Sequence, residues 1–300
     1  MPAKTYDTIA GLRGALYARR AAGAGLSVGF VPTMGALHEG HVSLVRRAVS
    51  ENDITVVSIF LNPLQFDESA DLDSYPKTLD ADVRLCGEAG ADLIFCPSVR
   101  EVYPDGASTR VEMDGPTDVL CGKSRPRHFS GVLTVVSKLF HIVEPDAAYF
   151  GEKDAQQLAV IRKLVRDLNM PVTIVGCPTV READGLAMSS RNTHLNADER
   201  KAATCLFRAL AAAREKLGDA AARSGAPRGE GEWASLAAKV ADAARAVLDA
   251  EPLARTEYVE LLDAETLAPL NDSSKAALCA IAVQIGQTRL IDNMRFSLDG

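Results

Sequence analysis

A chain of 300 residues with 47% hydrophobic content can bury one large core or two smaller ones, and two domains are the better expectation at this length. Thirty-three Lys and Arg residues are mixed with 40 Asp and Glu for a net charge of −7, so the basic field that a nucleic-acid partner requires is missing. No apolar run approaches the roughly 20 residues that span a bilayer, and the opening MPAKTYDTIAGLRG lacks a signal-peptide core, so the expectation is a cytoplasmic protein with no membrane partner.

In chain order, the first strong element is a strand over Leu26 to Val31 (LSVGFV), which runs through PTMGALHEGH into a helix over Val42 to Ser50. Gly35 and Gly40 free that turn of side chains, so that backbone can approach a ligand closely. His38 and His41, three apart, share one face at the helix start, where unpaired N–H groups and the helix dipole favour anions. Two imidazoles would extend that cradle over a polyphosphate.

The second strand, ITVVSIFL, reads as a continuous apolar run, which suits a strand buried on both faces. Pro63 cannot extend it, so Asn62 and Gln65 fall on the loop beyond its carboxyl end. Neutral amides both donate and accept, which suits a ligand with hydroxyls beside a carboxylate that must stay nucleophilic. A helix over 79–89 and the strands DLIFCP and DAAYF follow. DAAYF leads into GEKDAQQLAVIRKLV, with Gly151 in a turn and a helix over 155–168. Lys153 can supply a compact positive charge to phosphate oxygens, Asp154 could hold a ribose hydroxyl, and Gln157, four residues past Lys153, is a third amide.

After the strand VTIVGC comes VREADGLAMSSRN, in which Asp184-Gly185 marks a tight turn and Met188-Ser189-Ser190-Arg191 presents two hydroxyls and a guanidinium to phosphate. Strands alternating with helices up to about Val180 argue an α/β fold, a parallel sheet with helices on both faces. Beyond it, Ala-rich helices over 197–217 and 233–250 flank SGAPRGEGE, which reads as a flexible connector, and the chain ends in a small antiparallel sheet around Gly286. Asn196 with Glu199 looks like a reciprocal cap, and Pro252 would stop the later helix. The expected domains are therefore 1–180 and a smaller α+β domain over 181–300. Six cysteines (Cys86, Cys96, Cys121, Cys177, Cys205, Cys279) show no CxxC pair and no zinc-ligand spacing, so neither disulfides nor structural zinc is expected. Cys96 and Cys177 read as small buried hydrophobes.

The HxGH pattern resembles the HIGH motif of nucleotidyltransferases and of one class of aminoacyl-tRNA synthetases, which cut ATP between its α- and β-phosphates. Met188 to Arg191 resembles the KMSKS loop that partners it, with Arg191 in the cationic place; such a loop closes over ATP. Taken together, PTMGALHEGH, SIFLNPLQF, RPRHFSGVLTVVSKLF, FGEKDAQQ and VREADGLAMSSRN resemble, in order and spacing, the pantoate–β-alanine ligase family over nearly the whole chain. The resemblance implies a Rossmann-like doubly wound N-terminal domain, a smaller C-terminal lid domain and a homodimer. It implies an ATP-dependent condensation of pantoate with β-alanine through pantoyl adenylate, releasing pyrophosphate and AMP, with magnesium bound to ATP.

By the same resemblance, Met34, Gly35, His38, Gly40, His41, Gly151, Glu152, Lys153, Asp154, Val180, Met188, Ser189, Ser190 and Arg191 would bind ATP, with His41 as proton donor. Gln65, Gln157 and Asn62 would hold pantoate, and Gln65 would also lie at the β-alanine site. His41, His38, Lys153 and Asn62 form the catalytic set. The acidic stretch Asp80 to Asp82 is interrupted by Ala81, so no protein ligands to metal are assigned. Two departures from the family pattern, Leu120-Cys121-Gly122 and Arg127 before His128, receive no role. Two rival readings stand beside this one. A nucleotidyltransferase with a stable nucleotide product would want cations for a phosphorylated acceptor, where this chain offers amides. A non-catalytic nucleotide-binding regulator would have no use for Lys153 beside both histidines.

Overall fold

The computed structural model describes residues 3–298 apart from 24, 68–71, 74, 225, 226 and 228. It divides into two compact units, one of Met1–Thr117, Cys121–Glu152 and Val160–Val180, the other of Asp118–Leu120, Lys153–Ala159 and Arg181–Gly300.

The first unit is built on a six-stranded, wholly parallel sheet of β1 (Lys4–Tyr6), β2 (Val28–Thr33), β3 (Ile54–Ile59), β4 (Leu93–Phe95), β5 (Ala147–Gly151) and β6 (Thr173–Cys177), in the order β1-β4-β3-β2-β5-β6. All six residues of β3 are buried, as its unbroken apolar pattern demands of a strand covered on both faces. Neighbouring residues of β2 serve opposite faces. Val31 packs with Val42, Val45 and Ala48 of the helix Glu39–Glu51, while Phe30 meets Phe140 edge-to-face at 6.4 Å, in the helix His128–Val143. That second helix is apolar on nearly every side and correspondingly buried.

The connections from β2 run to β3 on one side while β5 pairs on the other, so the strand order reverses beside β2. The carboxyl end of β2 therefore stands at a topological switch point, where doubly wound sheets open a crevice for ligands. β2 extends two residues further than the sequence pattern suggests, through Pro32 to Thr33. The Asp146 N–H donates to the carbonyl of Val28 and the Phe60 N–H to that of Thr33, so the backbone groups of even-numbered β2 residues face β5 and those of odd ones face β3. The ladder to β5 ends at Phe30, so the N–H that Pro32 lacks has no strand to bond. β1, the helix Ile9–Ala22 and the helix His128–Val143 are elements that the chain-order reading does not set out.

The second unit packs the helices Cys205–Ser224 and Glu230–Asp249 against an antiparallel sheet of β7 (Ala254–Asp263), β8 (Ala276–Ile285) and β9 (Thr288–Ser297). Leu206, Leu210, Trp233, Val240, Ile281 and Val283 share one core. The reciprocal cap forms as expected: Asn196 Oδ1 accepts from Asp198 and Glu199 N–H at 3.0 Å, and Glu199 accepts from Asn196 N–H at 2.9 Å. The expected helix over 197–217 is in fact two, Ala197–Ala202 and Cys205–Ser224, split by a turn. Glu230–Glu232 belong to the first turn of the later helix and not to a connector; Gly225, Ala226 and Arg228 lie outside the described residues. That helix ends at Asp249, ahead of Pro252. All six cysteines are free, and burial pushes the Cys86 and Cys96 thiols up to about 12 and about 11. Such thiols are inert.

Candidate active site

The loop after β2 turns sharply, with Gly35 at φ +90° and Ala36 at φ +52°. Both oxygens of the buried Asp82 hold it: Ala36 N–H donates to Oδ2 at 3.0 Å and Leu37 N–H to Oδ1 at 2.8 Å. The helix then begins at Glu39, three residues earlier than the sequence pattern places it, with His38 as its cap. His38 Nδ1 accepts from Gly40 N–H at 3.1 Å, and His41 Nδ1 lies 3.4 Å from the His38 N–H. Two histidines thus occupy the roles that Ser and Glu play in an ordinary capping box.

The chemical consequence concerns the tautomer. A ring whose Nδ1 accepts from backbone carries its neutral-state proton on Nε2, so each imidazole presents Nε2–H as a donor. The rings lie with centroids 4.2 Å apart. Gly40 is required for a reason beyond backbone approach: a Cβ there would stand 2.7 Å from His38 Cε1.

Beyond β3, Asn62 caps a 3-10 turn over Pro63–Gln65. Asn62 is 1% exposed. Its Nδ2 donates to Gln65 Oε1 at 3.0 Å and to the Gly131 carbonyl at 3.1 Å, while its Oδ1 accepts from Tyr103 O–H at 2.9 Å and Leu64 N–H at 3.3 Å. All four of its hydrogen-bonding positions are therefore used within the protein. Burial pushes the Tyr103 phenol up to about 12, which keeps it a donor. Gln65 in turn donates through Nε2 to Met34 Sδ at 2.9 Å, joining the amide loop to the histidine loop. Its backbone carbonyl accepts from His128 Nδ1 at 2.8 Å and from Arg125 at 3.4 Å. Arg127 donates to Asp67 through both its backbone N–H, at 3.1 Å, and its guanidinium, at 2.8 Å, which steadies the segment after Gln65. Met34, Gly35, His38, Gly40, His41, Asn62 and Gln65 thus form one connected cluster. Sequence reading missed its supports, Asp82, Tyr103 and Gly131, and gave Arg127 no role; RPRHFSG was the available signal for Arg125, His128 and Gly131.

Gly151 closes β5 and Glu152 begins a 3-10 turn over Glu152–Asp154, while Val180 follows β6. In the second unit, Lys153 Nζ lies 3.9 Å from Asp154 Oδ1, and the Lys153 carbonyl accepts from Asn293 Nδ2 at 2.8 Å. Gln157 is half-buried; its neighbour Gln156 is the buried one, donating to the Val119 carbonyl at 2.6 Å. The segment after Val180 forms the expected tight turn, with Gly185 N–H donating to Glu182 O at 2.9 Å. Arg181 anchors it by a two-pronged bond to the buried Asp292 at 2.6 and 3.0 Å, and Arg200 grips Asp184 at 2.7 and 3.2 Å. Arg181 is a further residue that the sequence did not single out. Met188, Ser189, Ser190 and Arg191 are half-exposed; Ser189 caps a 3-10 turn over Ser190–His194, accepting from Arg191 N–H at 3.3 Å. Among the described residues no group of three or more His, Cys, Asp or Glu is placed to hold a metal ion, and no helix is long and apolar enough to cross a membrane.

A parallel sheet with a histidine-capped helix start and a buried amide network at its switch point defines a doubly wound α/β enzyme whose pocket-forming loops follow the strands. The chain belongs to the pantoate–β-alanine ligase family, whose sequence model matches residues 4–295. It is 53% identical to the pantothenate synthetase of Enterococcus faecalis over 274 residues, 91% of this chain and 93% of that protein. It is 52% identical to that of Heliobacterium modesticaldum over 93% and 94% of the two chains. Among solved structures, a pantothenate synthetase from Thermus thermophilus shares 47% identity at a TM-score of 0.85, covering 97% of this chain and 98% of that one. The Francisella tularensis pantoate–β-alanine ligase, complexed with β-γ ATP and β-alanine, shares 34% identity at 0.73 over 99% and 98%.

Proposed function

We propose that this chain condenses pantoate with β-alanine at the expense of ATP, giving pantothenate, AMP and pyrophosphate. The observation that carries the reading is the bond from Gln65 to Met34, which sets a neutral amide against the loop that bears His38 and His41. In the first half-reaction the pantoate carboxylate attacks the α-phosphorus of ATP and pyrophosphate leaves. In the second, the β-alanine amine attacks the acyl carbon of pantoyl adenylate and AMP leaves. No protein nucleophile is needed. The Nε2–H groups of His38 and His41 meet phosphate oxygens, with His41 as the donor to developing charge, and Lys153 and Arg191 add cationic charge. Gly35, Gly40, Gly151, Glu152, Asp154, Val180, Met188, Ser189 and Ser190 complete the nucleotide's surroundings.

Gln65 and Gln157 hold pantoate without the ion pair that would blunt its carboxylate, and Gln65 also adjoins β-alanine. Asn62, which the family resemblance implies for pantoate and for the catalytic set, has all its groups engaged within the protein and instead acts by setting the Gln65 amide. Positioning two reactants can remove about 7–11 kcal/mol of barrier. We further propose that magnesium enters with ATP, where it would offset phosphate charge, that residues 181–300 act as a lid domain, and that the enzyme is a cytoplasmic homodimer. The test is pyrophosphate and AMP release from ATP and magnesium. Pyrophosphate from pantoate alone in one enzyme-stoichiometric turnover, with AMP requiring β-alanine as well, supports the ligase. A persistent nucleotidyl conjugate, or no pantoate-dependent pyrophosphate, moves the nucleotidyltransferase reading to the front.

A further inference from the structure

Asp82 is a carboxylate buried to 2% exposure whose side-chain oxygens are held by hydrogen-bond donors. A buried charge persists only where such bonds satisfy it. Here they come from the histidine loop. Ala36 and Leu37 donate their backbone N–H groups to its two oxygens, one each, and the Thr78 hydroxyl adds a third at 3.1 Å. Asp82 sits in the first turn of the helix Leu79–Glu88, whose backbone fixes it through Asp82 N–H to Thr78 O at 2.9 Å. The residues it grips are unusual. Gly35 and Ala36 are successive left-handed positions, and an alanine rarely adopts that backbone unaided. A Cβ at Gly35 would lie 3.1 Å from Asp82 Oδ2, so the carboxylate fills the inside of the turn. Leu37 immediately precedes His38, whose backbone and ring together start the helix.

We propose that Asp82 is a positioning residue of the first half-reaction: by holding Ala36 left-handed and turning the Leu37 N–H inward, it presents His38 and His41 to the ATP phosphates. It touches no substrate. Each of its two oxygens accepts one of the loop's backbone N–H groups. The inference rests on the reading of this loop as the ATP site, and the two can fail separately.

The experiment compares wild type with Asp82→Asn and Asp82→Glu by steady-state kinetics and by ATP-induced thermal stabilisation. Asn offers an N–H₂ where one backbone N–H needs an acceptor, and Glu keeps the charge but moves the oxygens by one methylene. Each should weaken kcat/KM for ATP about 10- to 100-fold, the scale of a misplaced catalytic group, with KM for pantoate and β-alanine within about twofold of wild type. Ala36→Gly placed on Asp82→Asn should recover part of that loss, because glycine takes the left-handed backbone without strain. If Asp82→Asn does not fold, Asp82→Glu alone decides by the same split. Unchanged ATP parameters in a folded variant, a KM for pantoate or β-alanine outside that twofold range, or no recovery with Ala36→Gly would overturn the proposal. A wild-type enzyme that ATP neither stabilises nor serves as substrate would instead overturn the ATP-site reading beneath it.

Discussion

The two units hold their candidate site residues in opposite ways. In the first, the side chains themselves are locked: both histidine rings cap backbone, Asn62 is saturated, and Gln65, 7% exposed, is bonded at both ends of its amide. In the second it is the backbone that is held. The Lys153 and Ala187 carbonyls are bonded and Arg181 clamps to Asp292, while the Lys153 side chain keeps 20% exposure and Ser189 to Arg191 are half-exposed. A locked imidazole costs no reorganisation when charge develops, whereas a long cationic side chain on a fixed backbone can follow phosphate oxygens as they move. Damage to the histidine loop of the first unit should therefore appear in the chemical step, and damage to Gln65 or to the second unit's long side chains in binding.

The sharpest way to break this contrast is His41→Ala. It should slow single-turnover pyrophosphate release by two or more orders of magnitude, the usual scale for losing a transition-state donor, while stability falls by only about 1 kcal/mol for the lost cap contact. Wild-type-like turnover would remove His41 from the mechanism. Gly131→Ala tests the amide network from behind. The new Cβ would stand 2.3 Å from the Leu64 carbonyl oxygen, backbone that can yield only by moving the Gln65 turn. Overpacking of this kind costs about 1–3 kcal/mol, so the melting temperature should fall while KM for pantoate rises about tenfold. A loss of stability with pantoate KM intact would show that Gln65 does not bind pantoate.

Much of this was legible in the sequence, and the limits are physical. ITVVSIFL announced a strand covered on both faces, and Asn196 with Glu199 announced its own helix start, because those signals are local. The helix His128–Val143 was not set out as an element; Val132, Thr134, Val135, Val136 and Ile142 suit a strand as well as a buried helix, and periodicity does not separate the two. The histidines and loop amides stood out because strand ends are where ligands bind. Asp82 and Tyr103 did not, since they reach Ala36 and Asn62 across 46 and 41 residues of chain, and an aspartate or tyrosine carries no mark of a distant partner.

The adjacent glutamines allow a finer test within the second unit. Gln157→Ala should raise KM for pantoate about tenfold with an unchanged melting temperature, as expected for a half-exposed side chain committed to ligand. Gln156→Ala should do the reverse, costing about 1 kcal/mol through the lost bond to the Val119 carbonyl and leaving KM alone. An unaltered pantoate KM in Gln157→Ala would remove that residue from the site, and an effect of Gln156→Ala on KM would blur the separation of roles.

The smallest expected effect concerns how the segment after Val180 is anchored. Arg200 holds the Asp184 carboxyl below its ordinary value of 3.8, chiefly by hydrogen bonding. A carboxylate whose pKa is depressed on folding stabilises the native state above its unfolded pKa, and the contribution disappears as pH falls through the folded value. Below about pH 4 the Asp184–Arg200 pair should therefore begin to lose its effect, and progressively more as pH falls further. With side chains 45% and 32% exposed, the pair falls in the class worth about 0.2–1 kcal/mol, and salt should shrink it further. Urea unfolding of wild type and Arg200→Met across pH 3 to 7 reads this directly: the two stability curves should run apart above pH 4 and converge below it. Curves that stay parallel through the acid limb would show that Asp184 does not depend on Arg200. The turn would then rest on Arg181 and Asp292, whose carboxylate has no exposed surface, and the second unit's anchoring would be as buried as the first's.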